Sequence, residues 1–189
     1  QSFTPHTISS SMSYAYDVYA ADIDQDGDMD VVGSAYNSDQ VVWFENNGSE
    51  SFTSHIVTTA ADGATSVYVK DVDSDGDMDI LSASINDDEI AWYENDGSED
   101  FTSRTITTGA NGANTVFAID VDSDGDMDVL SSSSYDDKIA WYENNGSQAF
   151  TARTISTTAD GAFDLHALDF DQDGDVDVLS SSMYDHEIT

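Results

Sequence analysis

The sequence of 189 residues contains no cysteine, a single proline and only four lysine or arginine residues. The absence of cysteine excludes disulfide bonds and thiolate metal sites, although it does not identify a cellular compartment. The shortage of basic residues excludes nucleic-acid binding through a basic surface and makes an anionic membrane a poor partner. No apolar run approaches the roughly 20 residues that a membrane-spanning helix requires. No signal peptide is visible, and the first residue is Gln rather than Met, so we expect a processed or excerpted segment.

Acidic residues are abundant instead: 39 Asp and Glu give a net charge of −35. Much of this acid lies in four copies of the motif D-x-D-x-D-G-D-x-D, which begin at Asp22, Asp71, Asp120 and Asp169, 49 residues apart. Two sets of aromatic residues keep the same spacing: Phe3, Phe52, Phe101 and Phe150, and Trp43, Trp92 and Trp141. A fixed period in this range is typical of a repeat protein.

Each repeat predicts four short strands. In the second repeat, residues 65–73 alternate between apolar and polar and precede the Asp loop, and residues 78–84, 90–95 and 101–107 provide three more strand patterns. No segment has helical periodicity. Four strands in 40–50 residues are typical of a β-propeller blade, whereas a β-sandwich would not impose a strict period and a β-solenoid would have a shorter one. We therefore predict an all-β fold, a β-propeller built from 49-residue four-stranded blades.

The ring that these blades form is left open by the sequence. We predict a single propeller or propeller segment over residues 1–189, with repeats at approximately 1–49, 50–98, 99–147 and 148–189. About four blades could close alone, form half or part of a seven- or eight-bladed ring, or belong to a longer array. Residues 2–9 resemble a fourth strand and are expected to complete the last blade. The last repeat stops where its third strand begins, which favours an excerpt of something larger.

The motif also predicts a Ca²⁺ site in each loop, about four in all. The carboxylates at positions 1, 3 and 5 converge, the glycine at position 6 allows a sharp turn, position 7 supplies its backbone carbonyl, and position 9 supplies another carboxylate, directly or through water. Such an oxygen-only set selects Ca²⁺ or Mg²⁺, and its adjustable geometry favours Ca²⁺. The predicted metal residues are Asp22, Asp24, Asp26, Asp28, Asp30, Asp71, Asp73, Asp75, Asp77, Asp79, Asp120, Asp122, Asp124, Asp126, Asp128, Asp169, Asp171, Asp173, Asp175 and Asp177.

The loops lack the last ligand of a helical EF-hand, a bidentate glutamate at position 12. That position holds Gly33, Ser82, Ser131 and Ser180. We therefore expect water to complete the shell and affinities near ~10⁻⁴–10⁻³ M, as in extracellular modules. Sites this weak fill outside the cell and stay largely empty in the cytosol, so we predict an extracellular location, secreted or at the cell surface. The alternative interpretation is an acidic surface turn that holds no metal.

The Asp loops between two strands, in blades of this length, resemble FG-GAP and VCBS-type repeats along the whole chain. These repeats include the calcium-bearing blades of integrin α-subunit propellers and many secreted bacterial propellers. The segment "IAWYENDGS" (90–98), followed by "FTSRTI" (101–106), is particularly similar to the bacterial version. The resemblance implies adhesion, carbohydrate or protein binding, or an accessory role in a larger secreted protein. Some related propellers are polysaccharide lyases, so the fold alone does not decide between binding and catalysis.

The remaining residues predict no active site. There is no nucleophile elbow, phosphate loop or Ser/His pairing, and the basic residues are too dispersed to clamp an anionic sugar, so we predict no catalytic residue. His166 replaces the aromatic residue of the other repeats, Tyr19, Tyr68 and Phe117, and is expected on the innermost strand near the channel. Its alternatives are a functional role or an ordinary place in the packing.

Other aromatic residues are candidates for core or contact. On the third strands, one member of each aromatic pair, such as Trp92 and Tyr93, is expected between blades, and the other could be exposed and stack on sugars. We favour the core for the tryptophans. Tyr14, Tyr16 and Tyr36 occur only in the first repeat and are better candidates for a unique contact.

The leading functional hypothesis is a calcium-stabilised extracellular propeller that acts as an adhesion, ligand-binding or structural module. Its expected partner is a glycan or a protein, with self-association as a way to complete a ring or assembly. The alternatives are an accessory, less often catalytic, domain of a secreted polysaccharide-degrading enzyme and an architectural repeat in a surface assembly.

Overall fold

Four consecutive antiparallel sheets follow the 49-residue repeat in the structure, a computed structural model that describes residues 2–189. Blade 1 contains β1 (Ala15–Ala21), β2 (Asp30–Ala35), β3 (Gln40–Asn46) and β4 (Phe52–Thr58). Blade 2 contains β5 (Ala64–Lys70), β6 (Asp79–Ser84), β7 (Glu89–Asn95) and β8 (Phe101–Thr107). Blade 3 contains β9 (Ala113–Ile119), β10 (Asp128–Ser133), β11 (Lys138–Asn144) and β12 (Phe150–Ser156). Blade 4 contains β13 (Ala162–Leu168) and β14 (Asp177–Ser182).

This arrangement confirms the predicted all-β propeller. In each complete blade the strands pair in chain order, so the first strand is innermost and the fourth is outermost. The one helical segment between residues 2 and 189 is a 3₁₀ turn at Tyr36–Ser38, and no helix in that range is long and apolar enough to cross a membrane. Because neighbouring strands are antiparallel, all Asp loops lie at one edge of the blades and the turns between second and third strands lie at the opposite edge.

Apolar side chains fill three cores, one between each pair of neighbouring blades. Trp43 and Trp92 on the third strands are almost fully buried, and each indole packs edge-on against the outer strand of the next blade, with ring centroids 6.2 Å from Phe101 and 6.4 Å from Phe150. Trp141 is half-buried. The tryptophans are therefore core residues, as predicted.

The second aromatic residue of each third strand is buried as well. Phe44, Tyr93 and Tyr142 are at most 4 % exposed. The hydroxyl groups of Tyr93 and Tyr142 make hydrogen bonds of 3.1 Å with Ser82 and Ser131 on the neighbouring strands. The expectation that one member of each pair could stack on sugars is wrong, because the two faces of the sheet both pack against protein.

Hydrogen bonds from side chains to the backbone also join the blades. The carboxylate of Asp88 at the end of the blade 2 turn accepts from the backbone N–H of Gly112 at the start of blade 3, at 2.9 Å. Asp39 and Asp137 make the same contact, at 3.0 Å with Gly63 and 2.9 Å with Gly161. The same side-chain cap therefore connects each pair of neighbouring blades.

The N-terminal segment does not complete the last blade. Residues 2–14 contain no strand. Residues 6–10 and Met12 lie beside blade 1, against side chains of β1, β2 and β3. The inner side of β14 pairs with β13, and Ser181 on β14 forms a single bridge to Ile188. The expected strand exchange between the two ends is therefore absent within residues 2–189.

We expect Trp92→Ala to lower the free energy of unfolding by about 3–5 kcal/mol, because it opens a cavity between blades 2 and 3. Urea denaturation followed by circular dichroism measures the change. Tyr135→Ala is the matched control, since Tyr135 is 66 % exposed and should change stability by less than about 0.5 kcal/mol. Equal losses in the two variants would contradict an inter-blade core.

Candidate metal centres

Each Asp loop is a tight turn held by its own carboxylates. The residue at position 4 has a left-handed backbone, with φ of 60° at Gln25 and 62° at Ser74, and the glycine at position 6 has φ near 100°. At position 1, one carboxylate oxygen accepts from this glycine, as in the 3.1 Å bonds from Gly27 to Asp22 and from Gly76 to Asp71. The predicted glycine turn is thus formed in all four loops. Position 6 holds glycine because residues with a Cβ are disfavoured at such φ values.

Carboxylate oxygens converge in all four loops. In each, three aspartates place one oxygen apiece within 4.8 Å of the other two. The groups are Asp22, Asp24 and Asp26; Asp71, Asp73 and Asp79; Asp120, Asp122 and Asp128; and Asp169, Asp171 and Asp177. Positions 1 and 3 therefore belong to every group, position 5 joins them in the first loop, and position 9 joins them in the other three.

The converging oxygens include buried atoms without a hydrogen-bond donor. These atoms are Asp22 Oδ1, Asp71 Oδ1 and Asp73 Oδ1. A buried carboxylate oxygen with no partner is costly, and the cost rises when other carboxylates lie beside it. Burial followed by the neighbouring Asp75 raises the pKa of Asp73. A divalent cation with a preference for hard oxygen ligands fits this donor set, and Ca²⁺ or Mg²⁺ are the cations of that kind.

Position 9 braces the loop as well as facing its centre. Asp79, the first residue of β6, is fully buried, and it accepts from the backbone N–H groups of Val72 at 2.9 Å and Asn95 at 2.8 Å. Burial raises the pKa of Asp79 to about 7, although both N–H groups oppose the rise. Burial also raises the pKa of Asp128, which makes the equivalent bonds. Position 9 thus ties the Asp loop to the third strand of its blade.

Two predicted positions lie partly outside the converging groups. At position 5, one oxygen of Asp75 accepts from the backbone N–H of Asp77 at 2.9 Å, and Asp124 and Asp173 make the same bond. At position 7, the carboxylates of Asp28, Asp77 and Asp126 lie against the glycines of the hairpins between third and fourth strands. The backbone carbonyl of position 7 stays the predicted ligand from this residue. The equivalent residue in the last loop is Asp175.

Residues from neighbouring blades also reach the loops, which the sequence did not indicate. Gln148, in the outer hairpin of blade 3, donates its amide to Asp73 Oδ2 at 2.9 Å. Gln25, in the first loop, donates to the carbonyl of Gly76 in the second at 2.6 Å. Gln148 is the repeat equivalent of Glu50 and Glu99, and nothing in the sequence distinguishes it as a residue that contacts a loop. The contact is visible only in the tertiary structure.

A second region of interest is the concave groove formed by the four innermost strands. Its volume is about 450 Å³, and its lining includes a row of aromatic residues, one at the same repeat position of each blade, together with Tyr16 and Phe163. The row runs from Tyr19 through Tyr68 and Phe117 to His166, with ring centroids 4.8, 4.7 and 4.9 Å apart. His166 lies on β13, the innermost strand of blade 4, as predicted, and it is exposed at the end of this row.

The chain matches the model of a known repeat family along most of its length. The model of the FG-GAP-like repeat matches three overlapping segments, residues 22–82, 71–131 and 120–180. Each match starts at the first aspartate of one loop and ends just after the next loop. The chain therefore belongs to the FG-GAP-like repeat family. No curated protein matches it.

A solved structure supports the fold independently. A lectin from Agrocybe aegerita, whose structure is described as the basis of specific recognition of non-reducing terminal N-acetylglucosamine, matches with a TM-score of 0.60 and 20% sequence identity. The match covers 86% of this chain and 46% of the lectin. The chain thus spans about half the length of this structural relative, and the likeness bears on the fold.

Position 3 and position 9 should respond differently to substitution in the metal-free protein. We expect Asp79→Asn to cost about 1–3 kcal/mol in chelator at pH 8, because a buried N–H loses its acceptor. Asp73→Asn should cost nothing there, because it removes charge beside Asp71 and Asp75. Urea denaturation in EDTA measures both.

The same two variants should each lose one calcium site when calcium is titrated calorimetrically. Asp75→Asn should weaken the second site without affecting the other three. Equal destabilisation of Asp73→Asn and Asp79→Asn in chelator would contradict the separate roles of the two aspartates.

Proposed function

We propose that the protein is a calcium-stabilised extracellular β-propeller that binds a glycan, and that it acts as a binding or adhesion module without catalysis. The unpartnered buried oxygens of Asp22, Asp71 and Asp73 carry the calcium part of this proposal. These oxygens accept no hydrogen bond, and a bound cation would compensate their buried charge. They lie inside the motif whose spacing suits Ca²⁺. The 20 loop aspartates remain the proposed metal residues. The carboxylates of positions 1, 3 and 9 are the main ligands, position 5 is a further ligand, and position 7 contributes its backbone carbonyl.

The extracellular part rests on affinity. Three carboxylates and a carbonyl, without a bidentate glutamate, place each site near the ~10⁻⁴–10⁻³ M range of extracellular modules. Millimolar calcium outside the cell would fill such sites. The net charge of −35 supports the same location, because it leaves the metal-free chain strongly self-repelling wherever calcium is scarce.

The ligand part rests on the groove and on the kind of relative. The inner groove combines aromatic faces with carboxylate and hydroxyl groups, among them Asp17, Thr115 and Asp164. This mixture is typical of small-ligand sites that bind saccharides through stacking and hydrogen bonds. The lectin of similar fold recognises a sugar, which favours a glycan over a protein as the ligand.

We further propose that a second copy of the chain packs against the exposed ends of the propeller. Val18 is 67% exposed, whereas its equivalents Val67 and Val116 are buried by the preceding blade. Phe163 is exposed at the opposite end. Light scattering on purified protein should give the mass of a dimer, and a monomer at 100 µM, a concentration on the order of 100-fold above a micromolar Kd, would contradict this proposal.

Calcium should raise the melting temperature strongly. At 1 mM free calcium, about tenfold above a Kd of ~10⁻⁴ M, each independent site adds about 1.4 kcal/mol. We therefore expect excess EDTA to lower the melting temperature by many degrees, and added calcium to restore it. Differential scanning fluorimetry in calcium, magnesium and EDTA measures this, and identical melting in all three would overturn the calcium proposal.

Glycan binding should depend on calcium through folding of the propeller. On a glycan array, we expect bound sugars in millimolar calcium and a loss of signal in chelator. The same array with Trp92→Ala shows how much a folding defect alone lowers glycan binding, because Trp92 lies in the core between blades and does not line the groove. Binding that persists unchanged in chelator would contradict a calcium-organised binding module, and an array without bound glycans would contradict the choice of ligand.

A further inference from the structure

Three tyrosines of the first blade form an exposed cluster at the edge opposite the Asp loops. The tyrosine cluster consists of Tyr14, Tyr16 and Tyr36, whose ring centroids lie 5.7–6.2 Å apart. Tyr14 is 63% and Tyr16 43% exposed. Exposed aromatic rings in mutual contact leave apolar faces in water, which is typical of a binding surface.

The backbone of Tyr14 is unfavourable for a tyrosine. Its φ is 61°, in the left-handed region, while the equivalent positions of the other blades hold Gly63, Gly112 and Gly161 with φ of 67–71°. Glycine adopts this conformation without strain, and a residue with a Cβ does not. A large side chain at a position where three sister repeats have glycine indicates that the ring itself has a use, since backbone strain of this kind concentrates at functional sites.

The cluster is continuous with the inner groove. Tyr16 belongs both to the cluster and to the groove wall, where Asp17, Ser66 and Tyr68 follow it. Burial, followed by the neighbouring Tyr14, Tyr36 and Asp17, raises the pKa of Tyr16, so its hydroxyl stays a neutral hydrogen-bond donor. The aromatic row from Tyr19 to His166 extends the same surface across all four blades.

The negative charge of the groove favours a neutral ligand over an anionic one. Its lining contains two carboxylates, Asp17 and Asp164. Within residues 2–189, no lysine or arginine lines the groove. Asp17 accepts from the backbone N–H groups of Val18 at 2.8 Å and Val67 at 3.0 Å. Asp164 accepts from the N–H of Leu165 at 2.9 Å and the hydroxyl of Thr115 at 3.3 Å. Each carboxylate can accept about four hydrogen bonds, so both retain acceptor capacity. An anionic glycan would be repelled here, whereas the hydroxyl groups of a neutral sugar can donate to these oxygens.

We propose that the tyrosine cluster and the adjoining groove form a site for a neutral saccharide, with Tyr14, Tyr16 and Tyr36 as a stacking platform and Asp17 as a hydrogen-bond acceptor. This inference rests on the proposed glycan-binding function and names its site and ligand class. The apolar C–H face of a pyranose packs on tyrosine rings, and its hydroxyl groups reach the carboxylates. The Asp loops lie at the opposite edge, so calcium acts on this site through the fold.

Tyr14→Gly provides an unusual test, because it should weaken binding while stabilising the protein. Glycine restores the residue of the sister repeats and relieves the backbone, so we expect the melting temperature to rise by about 2–4 °C or to stay unchanged. Loss of binding in this variant cannot then be attributed to unfolding. Tyr16→Ala tests the ring shared with the groove, and Tyr135→Ala, an exposed tyrosine stacked on Gly112 outside the groove, is the control.

The measurement is a printed array of neutral and uronate-containing oligosaccharides in millimolar calcium. We expect the wild-type protein and Tyr135→Ala to bind neutral sugars alike, and Tyr14→Gly and Tyr16→Ala to bind them about tenfold more weakly. Undiminished binding in both cluster variants, or binding of uronates only, would overturn this site while leaving the glycan-binding function intact. A wild-type protein that binds no sugar would overturn both proposals.

Discussion

Repulsion among carboxylates that converge in each Asp loop is the constraint on which the rest of the structure depends. The oxygens Asp71 Oδ1 and Asp73 Oδ1 are buried without donors within one converging group, an arrangement that is costly unless a divalent cation neutralises it. Asp79 carries this ordering into the sheet, because it faces the loop centre and also holds backbone N–H groups of the loop and the third strand. The position 9 aspartate thus links the converging carboxylates to the sheet in blades 2, 3 and 4.

The repeat extends this coupling from blade to blade. Gln25 and Gln148 connect loops with neighbouring blades, and the caps represented by Asp88 join the opposite edge. Between these two edges the indoles of Trp43 and Trp92 pack into successive cores. A repeat protein of this kind gains stability from interfaces between neighbours more than from any single blade, so an ordered loop supports the blades on either side of it.

The groove and the tyrosine cluster show how a repetitive scaffold carries a unique surface. Most positions on the inner strands keep their character through all four blades, whereas Tyr14, Tyr16 and Tyr36 occur in the first blade only. They lie at the edge where β1 begins, beside the irregular pairing between Ala15 and Val18. The Asp loops at one edge and the tyrosine cluster at the other separate the proposed metal ligands from the residues proposed to meet a glycan.

The sequence alone determined the fold class and the aspartate positions, because a 49-residue period and a motif with glycine in register are local signals that need no contacts to recognise. It did not determine which aspartates face each other: that Asp79 rather than Asp75 joins Asp71 and Asp73 depends on how β6 starts and which N–H groups it meets. Likewise, the burial of Tyr93, the reach of Gln148 and the course of residues 2–14 were decided by tertiary structure. The physical reason is that burial and side-chain pairing depend on the neighbouring blade, which lies next to a residue in space but about 49 positions away in the chain.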